Sequence, residues 1–175
     1  MKASTQSAIV TMGFEGLRLK PYLCPANKPT IGLGSTYYED GTSVKMTDKA
    51  ITKEMAHRLY MNTIHIYEKA VDSKIKIVLK QHQYDALVDL AYNLGTVPNT
   101  LADLINQNPM NPKIYGTFLL YDKATLDHDG KDNDGDGIID EKGEKGELLG
   151  LVRRRNCEAT LYFTGKINFY ENLKI

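Results

Sequence analysis

Apolar residues recur at helical spacing along much of the chain, and these stretches predict its helices. Residues 4–14 match a short N-terminal helix with Ser4 or Thr5 as its cap. A single long helix is predicted to follow Thr52 and to reach about residue 71. Its expected buried face consists of Met55, Leu59, Thr63, Ile66 and Ala70. A further helix is predicted at 80–94, with Ala86, Leu87, Leu90, Ala91 and Leu94 buried and Gly95 just past its end. Others are predicted at 100–107, 112–123 and 148–163.

The pattern changes between Leu17 and Val44, where short alternating runs replace the helical spacing. The runs LRLKPYL and TIGLGSTYY are broken by prolines and glycines, which predicts a small, irregular antiparallel sheet. The fold class is therefore α+β, with a ligand cleft expected between a sheet lobe and a helical lobe. We expect a single domain at 1–175. Its β-lobe spans about 17–50, and its helical lobe consists of about 52–175 together with the N-terminal helix at 4–14.

The net charge of zero conceals an uneven distribution of charge. The segment from Asp127 to Glu147 holds nine acidic residues and three lysines, a net charge of −6. The remainder holds 13 acidic residues against 19 Lys and Arg, a net charge of +6. A basic body suits an anionic polymer such as nucleic acid, a membrane surface or bacterial cell wall. A surface that is merely well solvated explains the charge equally well.

Several classes of protein are disfavoured by what the sequence contains. No apolar run approaches the roughly 20 residues that span a bilayer. The N-terminal residues hold one lysine and no long apolar stretch, so no secretory signal peptide is expected. Two cysteines are too few for a disulfide framework, which fits synthesis in a reducing cytoplasm.

Three residues at fixed spacing carry the candidate chemistry: Glu15, then Cys24 after eight residues, then Thr30 after five more. Glu15 lies at a predicted helix end, and half-burial there would disfavour its charged form and suit a general acid near neutral pH. Thr30 offers a hydroxyl that can hold a water molecule. Taken alone, these residues are better explained as a solvated helix-end carboxyl and a strand former, because carboxylates with perturbed pKa values are rare.

The spacing resembles the motif of the phage-type lysozymes (glycoside hydrolase family 24), which is Glu, eight residues, Asp or Cys, five residues, Thr. The blocks FEGLRLKPY, TIGLG, QHQYDALVDLAYNLG and GLVRRRNCEATLYFTG resemble the family's own blocks in order, over about 8–165, with an insert at 125–147 left out. The resemblance implies a lysozyme-like fold and a muramidase that hydrolyses the β-1,4 bond between N-acetylmuramic acid and N-acetylglucosamine in peptidoglycan. It also implies that an arginine of the C-terminal helix pairs with Glu15. The register of the C-terminal block on the family's own block assigns this role to Arg154, which lies between Arg153 and Arg155.

The resemblance further implies a phage or prophage endolysin. Such a protein is expected to be made in the host cytoplasm, to be released to the cell wall by a holin partner, and to act as a monomer. No catalytic cofactor, nucleic acid or membrane insertion is expected. Two other functions stay open. One is a catalytically weakened wall-binding or calcium-responsive module, and the other is a lytic transglycosylase, which needs one acid and releases an anhydro sugar.

Cys24 occupies the position at which the family has Asp or Cys. An ordinary thiol has a pKa of about 8.5, so it is mostly uncharged at neutral pH and stabilises an oxocarbenium-like transition state poorly. We therefore expect Cys24 to help Thr30 orient a water molecule. Direct attack by a thiolate, with retained configuration, is one alternative. A residue that only fills space is the other.

The acidic insert resembles a calcium-binding loop. The expected ligands follow the alternating spacing of an EF-hand loop and are Asp132, Asp134, Asp136, Ile138 and Asp140, with Glu144 one residue after the usual bidentate position. Oxygen ligands at this spacing wrap one hard cation, whereas unpaired carboxylates would repel one another. The sequence thus predicts a structural Ca²⁺ in the 127–144 loop, remote from Glu15 and weakly bound. A disordered acidic loop is the alternative.

Overall fold

The computed structural model describes residues 1–24, 27–125, 130–132, 137–139 and 145–174. These residues form seven helices and four strands. The helices are α1 Thr5–Glu15, α2 Lys53–Thr63, α3 His65–Lys74, α4 Gln81–Leu94, α5 Asn99–Gln107, α6 Lys113–Leu119 and α7 Leu149–Thr164. The strands are β1 Arg18–Leu23, β2 Pro29–Gly32, β3 Lys123–Thr125 and β4 Lys145–Glu147.

A small sheet near the N-terminus and a set of helices behind it confirm the α+β prediction. Strands β1 and β2 pair antiparallel, with Tyr22 opposite Thr30. Isolated bridges from Ile31 to Ser35 and from Tyr37 to Ser43 continue this lobe irregularly. None of the helices in the described part of the chain is long and apolar enough to cross a membrane.

Helix α4 is the centre of the helical part and packs against α1, α3 and α7. Every residue from Gln83 to Ala91 is buried, so the helix has no solvated face over this stretch. The sequence correctly predicted burial for four of its five apolar positions. The prediction was wrong for Leu94, which is 37% exposed because Gly95 ends the helix there in a left-handed conformation.

The predicted long helix after Thr52 is two helices that meet at Ile64. The Thr63 hydroxyl donates to the carbonyls of Leu59 and Tyr60, so its hydrogen bonds stay within the last turn of α2. Ile64 is buried, whereas Ile66 is 58% exposed, so the predicted inward position of Ile66 was wrong. Ala70 is partly buried and packs against the core.

Glu68 explains why the buried face of α3 was misplaced. Its carboxylate accepts the backbone N–H of Ala3 at 2.7 Å and the Lys2 ammonium at 2.8 Å. A charged residue therefore lies inward, in line with Ile64 and Val71, at the spacing of one helix face.

The predicted helix at 112–123 is shorter in the structure and ends at Leu119. The chain then enters β3, which pairs with β4 so that Lys123 lies opposite Glu147 and Ala124 opposite Gly146. We call this pair the insert ribbon. It joins the two ends of the acidic insert, so the chain leaves and re-enters the helical part at neighbouring positions.

Candidate active site

Glu15 is the last residue of α1, and local sequence fixes it there. Ser4 caps the start of the helix by accepting the N–H of Gln6 at 3.2 Å. Gly16 follows Glu15 with φ of 74°, a conformation that favours glycine, and so turns the chain towards β1. Glu15 therefore lies where α1 of the helical part passes into β1 of the sheet lobe, and its side chain is 36% exposed to solvent.

Arg154 on α7 meets this carboxyl directly. Its Nη1 lies 2.5 Å from Oε1 of Glu15, and its side chain is only 3% exposed. Its two neighbours point elsewhere, because successive residues on a helix differ by about 100° in direction. Arg153 donates to the carbonyl of Leu173, and Arg155 donates to Asn93 and Glu158. The position that the register indicated is thus the one that pairs with Glu15.

Asp89 holds Arg154 from behind with two parallel hydrogen bonds. Nε and Nη2 of the guanidinium each lie 3.1 Å from a carboxylate oxygen of Asp89, which is fully buried. Thr11 of α1 also donates to Asp89, at 2.5 Å. Burial alone would lower the pKa of Arg154, but the carboxylates of Asp89 and Glu158 outweigh it and raise that pKa above its usual range. Arg154 therefore remains a cation with a fixed direction.

Glu158 completes the buried charge cluster. Its Oε1 accepts from Arg155 at 2.6 Å and from Arg154 at 3.3 Å. Burial raises the pKa of Glu158 well above its ordinary value, because the interior disfavours the carboxylate. Sequence reasoning missed both Asp89 and Glu158. The available signal was an acidic residue within an apolar helix, because a buried acid requires a partner.

Cys24 and Thr30 are tied to the same carbonyl oxygen. The backbone N–H of Cys24 donates to the Lys28 carbonyl at 3.1 Å, and the Thr30 hydroxyl donates to that carbonyl at 2.9 Å. Thr30 is 2% exposed. Because the Thr30 hydroxyl already donates to the Lys28 carbonyl, its oxygen can only accept a hydrogen bond from any further partner. In the described part of the chain, neither Cys24 nor Cys157 forms a disulfide.

Tyr22 connects this strand pair electrostatically with Glu15. It lies opposite Thr30, and Cys24 follows two residues later, directly after the last residue of β1. Burial raises the pKa of the Tyr22 phenol. Arg18, 4.5 Å from the ring, opposes this, whereas the Cys24 thiol, where it is ionised, and the Glu15 carboxylate add to it. Tyr22, which the motif does not include, thus lies opposite Thr30 and within electrostatic range of Cys24 and Glu15.

Tyr92 links the sheet lobe to α4. Its hydroxyl donates to the Leu33 carbonyl, and its ring lies 6.0 Å from the Arg154 guanidinium. Gly34 has φ of 95°, and a Cβ there would lie 2.9 Å from the Tyr92 hydroxyl, so the TIGLG segment needs glycine at this position. A cavity of about 240 Å³ opens between residues 33–37 and the rings of Tyr67 and Tyr92.

The calcium prediction lies mostly outside the described residues, which exclude Asp134, Asp136, Asp140 and Glu144. Of its other two residues, Asp132 accepts the backbone N–H of Gly137 at 3.0 Å and Ile138 is 54% exposed. Over the described ranges, no three His, Cys, Asp or Glu side chains group as a metal site. The calcium site stays a prediction.

A carboxyl held by a buried guanidinium, between a small sheet and a helical lobe, is the arrangement of a lysozyme-like glycosidase. The phage lysozyme family matches residues 12–158, and the chain belongs to this family. The resemblance inferred from the sequence is thereby confirmed.

Two endolysins and one solved structure are similar over long stretches. The endolysin of Acyrthosiphon pisum secondary endosymbiont phage 1 is 28% identical, over 93% of this chain and 98% of its own length. The endolysin of Salmonella phage P22 is 37% identical, over 66% of this chain and 80% of its own length. The structure of the endolysin from Escherichia coli O157:H7 phage FAHEc1 has a TM-score of 0.73 and 27% identity, covering 96% of this chain and 97% of that one. The family and these relatives assign the chain a peptidoglycan hydrolase role in host lysis.

Proposed function

We propose that the chain is an N-acetylmuramidase of glycoside hydrolase family 24, which cleaves the β-1,4 bond between N-acetylmuramic acid and N-acetylglucosamine. Glu15 protonates the leaving glycosidic oxygen as general acid. The observation that carries the proposal is the pairing of Glu15 with the buried guanidinium of Arg154 at 2.5 Å. That pairing directs one carboxyl oxygen inwards and leaves the other side of Glu15 open to a substrate.

A water molecule is the proposed nucleophile, oriented by Thr30. The Thr30 hydroxyl donates its hydrogen bond to the Lys28 carbonyl, so a water molecule would act as the donor to Thr30. That water keeps a lone pair with which to attack the anomeric carbon. The backbone N–H of Cys24 donates to the same carbonyl, which keeps Cys24 close to Thr30. In this mechanism Cys24 helps to place the water, and the configuration at the anomeric carbon is inverted. The proton that the water loses on attack passes to solvent, and solvent reprotonates Glu15 for the next turnover.

Digestion of purified cell wall tests the reaction class. Mass spectrometry of the products should detect muropeptides with reducing ends, since water completes the reaction. Anhydro sugars would instead identify a lytic transglycosylase, and an undigested wall to which the protein binds would identify a binding module. Either of these two results would overturn the proposal.

Substitution of Cys24 tests the role of the thiol. We expect Cys24→Ser to keep activity within roughly tenfold of the natural chain, because a hydroxyl makes the same hydrogen bonds. Cys24→Asp should be at least as active as the natural chain, because a carboxylate is a stronger base and stabilises developing positive charge. Turnover of wall fragments by the three proteins, measured at equal folded concentration, provides the comparison.

The anomeric form of the first product separates water from thiolate attack. Proton NMR within the first minutes, before mutarotation, should detect the α-product of inversion. A β-product, a glycosyl adduct on Cys24 and an inactive Cys24→Ser variant would together establish a covalent mechanism and contradict the water mechanism.

We also propose that the insert holds a structural Ca²⁺, without a part in catalysis. The spacing of the acidic residues supports this, as does the insert ribbon, which brings the ends of the loop together. Millimolar calcium should raise the melting temperature, because an ion that binds only the folded state stabilises it by mass action. Equal melting curves in calcium and in chelator would exclude the site.

A charge-matched pair of variants controls the calcium experiment. Asp134→Ala combined with Asp136→Ala should remove the response to calcium and leave wall hydrolysis unchanged. Asp103→Ala combined with Glu171→Ala removes the same charge at exposed positions outside the insert and should keep the response. Loss of the response in both pairs would indicate a nonspecific effect of charge.

The mode of release and the assembly state are proposals that follow from the endolysin relatives. We propose a monomer that a holin releases to the wall. Light scattering after size exclusion measures the mass in solution. Lysis of cells that express the chain with and without a holin measures the dependence on release.

A further inference from the structure

Residues 166–173, here called the C-terminal tail, fold back beside α7. Gly165 ends α7 in a left-handed conformation and allows the reversal. The Tyr170 hydroxyl then lies 2.6 Å from the Thr160 hydroxyl, and Arg153 donates to the Leu173 carbonyl at 2.8 Å. Both anchors belong to α7, the helix that carries Arg154. The tail is therefore fixed relative to Arg154.

Directly before the first of these anchors, the tail contacts the last turn of α1. The Phe169 ring meets the Phe14 ring edge-on, with centroids 5.5 Å apart. The same ring covers Gly13 so closely that an added Cβ would lie 2.1 Å from its Cε1 atom. Glycine destabilises a helix interior relative to alanine. The contact with Phe169 accounts for glycine at this position.

The turn that carries Glu15 is thus flanked by Gly13 and Gly16. Helix ends fray, and glycine on both sides adds backbone freedom where the carboxyl has to be fixed. The side chain of Glu15 contributes its bond to Arg154, but Phe169 provides packing that holds the backbone of this turn. A helix end without that packing would move the carboxyl relative to Cys24 and Thr30.

We propose that Phe169 is a positioning residue for the reaction: it presses the last turn of α1 against α7 and keeps Glu15 in reach of Arg154 and of the bond to be cleaved. The proposal rests on the role of Glu15 as general acid. Phe169 does not touch the reacting atoms, and the tail holds the acid through backbone packing. Positioning of this kind affects the chemical step more than substrate binding.

Steady-state kinetics of Phe169→Ala test the proposal. We expect kcat to fall by roughly 10-fold to 100-fold, the scale that follows from a misplacement of about 1 Å, with KM within about twofold. Phe169→Leu should restore most of kcat, because it again covers Gly13. Ile105→Ala on α5 should keep its kcat, since the variant loses core packing away from Glu15. All assays are run well below the lowest melting temperature. A Phe169→Ala protein with natural kcat would overturn the proposal.

Gly13→Ala provides a second route if Phe169→Ala does not fold. The new methyl group displaces the ring from the opposite side, so kcat should fall although alanine is the better helix former. Combining it with Phe169→Leu should relieve the collision and recover part of kcat. A Gly13→Ala protein with natural kcat would exclude a positioning role.

Glu15→Gln, assayed in parallel, separates failure of this inference from failure of the proposed function. If Glu15→Gln is inactive and both Phe169→Ala and Gly13→Ala are normal, only the inference fails. If Glu15→Gln is active, the general acid itself has been misidentified, and any effect of Phe169→Ala must have another cause.

Discussion

Glu15→Gln should lose wall hydrolysis by at least roughly 10²–10⁴-fold, the contribution that general acid catalysis typically makes. The amide has nearly the shape of the carboxyl and can still accept a hydrogen bond from Arg154 through its oxygen. It has no proton that it can transfer to the leaving oxygen. The rate of release of soluble muropeptides from purified wall, at equal protein concentration, measures the loss.

The control for this experiment is Glu54→Gln, an exposed carboxyl in the first turn of α2. It makes the same chemical change away from the site and should hydrolyse wall at the natural rate. Circular dichroism and melting curves of both variants should match the natural protein closely. A Glu15→Gln protein that turns over wall normally would remove Glu15 from the mechanism.

Arg154→Met should produce the largest loss of stability among the substitutions considered. The side chain of Arg154 is 3% exposed, and Asp89 and Glu158 behind it are fully buried. Removing one partner of a buried ion pair leaves uncompensated charge, which costs about 3–5 kcal/mol of the free energy of unfolding. For a protein of this size the melting temperature should fall by roughly 6–20 °C. Denaturant titration and thermal melts measure the two quantities.

Arg58→Met is the matched control for this prediction. Arg58 pairs with Glu39 at 3.1 Å, but both side chains are largely exposed, so the loss should stay within about 1 kcal/mol. Arg154→Lys should fall between the two, because an ammonium retains the charge but cannot make the parallel bonds to Asp89. Equal melting temperatures for Arg154→Met and Arg58→Met would mean that the buried cluster contributes little to folding.

The parts of the site that the sequence predicted are those with local signals. Ser4 and Gly16 mark the ends of the first helix, and they place Glu15 at its last turn. The spacing to Cys24 and Thr30 lies within one strand pair, so a short motif captures it. Arg154 was predicted only through the family resemblance, because 139 residues separate it from Glu15.

The parts that the sequence did not predict depend on contacts between distant segments. Asp89 and Glu158 were missed because periodicity assigns charged residues to the solvated face, and only the folded chain reveals their partners. Glu68 misled the helix prediction for the same reason, since the N-terminal residues supply its partners. Phe169 lies in a tail without periodicity, so its contact with Gly13 had no sequence signal.

The insert ribbon has a consequence for how this protein can be altered. Because β3 and β4 pair and the N–H of Leu148 also binds the Asp122 carbonyl, the two ends of the 126–144 segment are held together by the framework itself. The entropy of closing a loop rises slowly with its length, by about 0.6 kcal/mol for each doubling. The ribbon therefore marks a position where peptides of different length can be exchanged with little change in the entropy of loop closure, in a segment that contributes none of the residues of the active site. Such a position suits the attachment of an affinity peptide or an additional wall-binding segment.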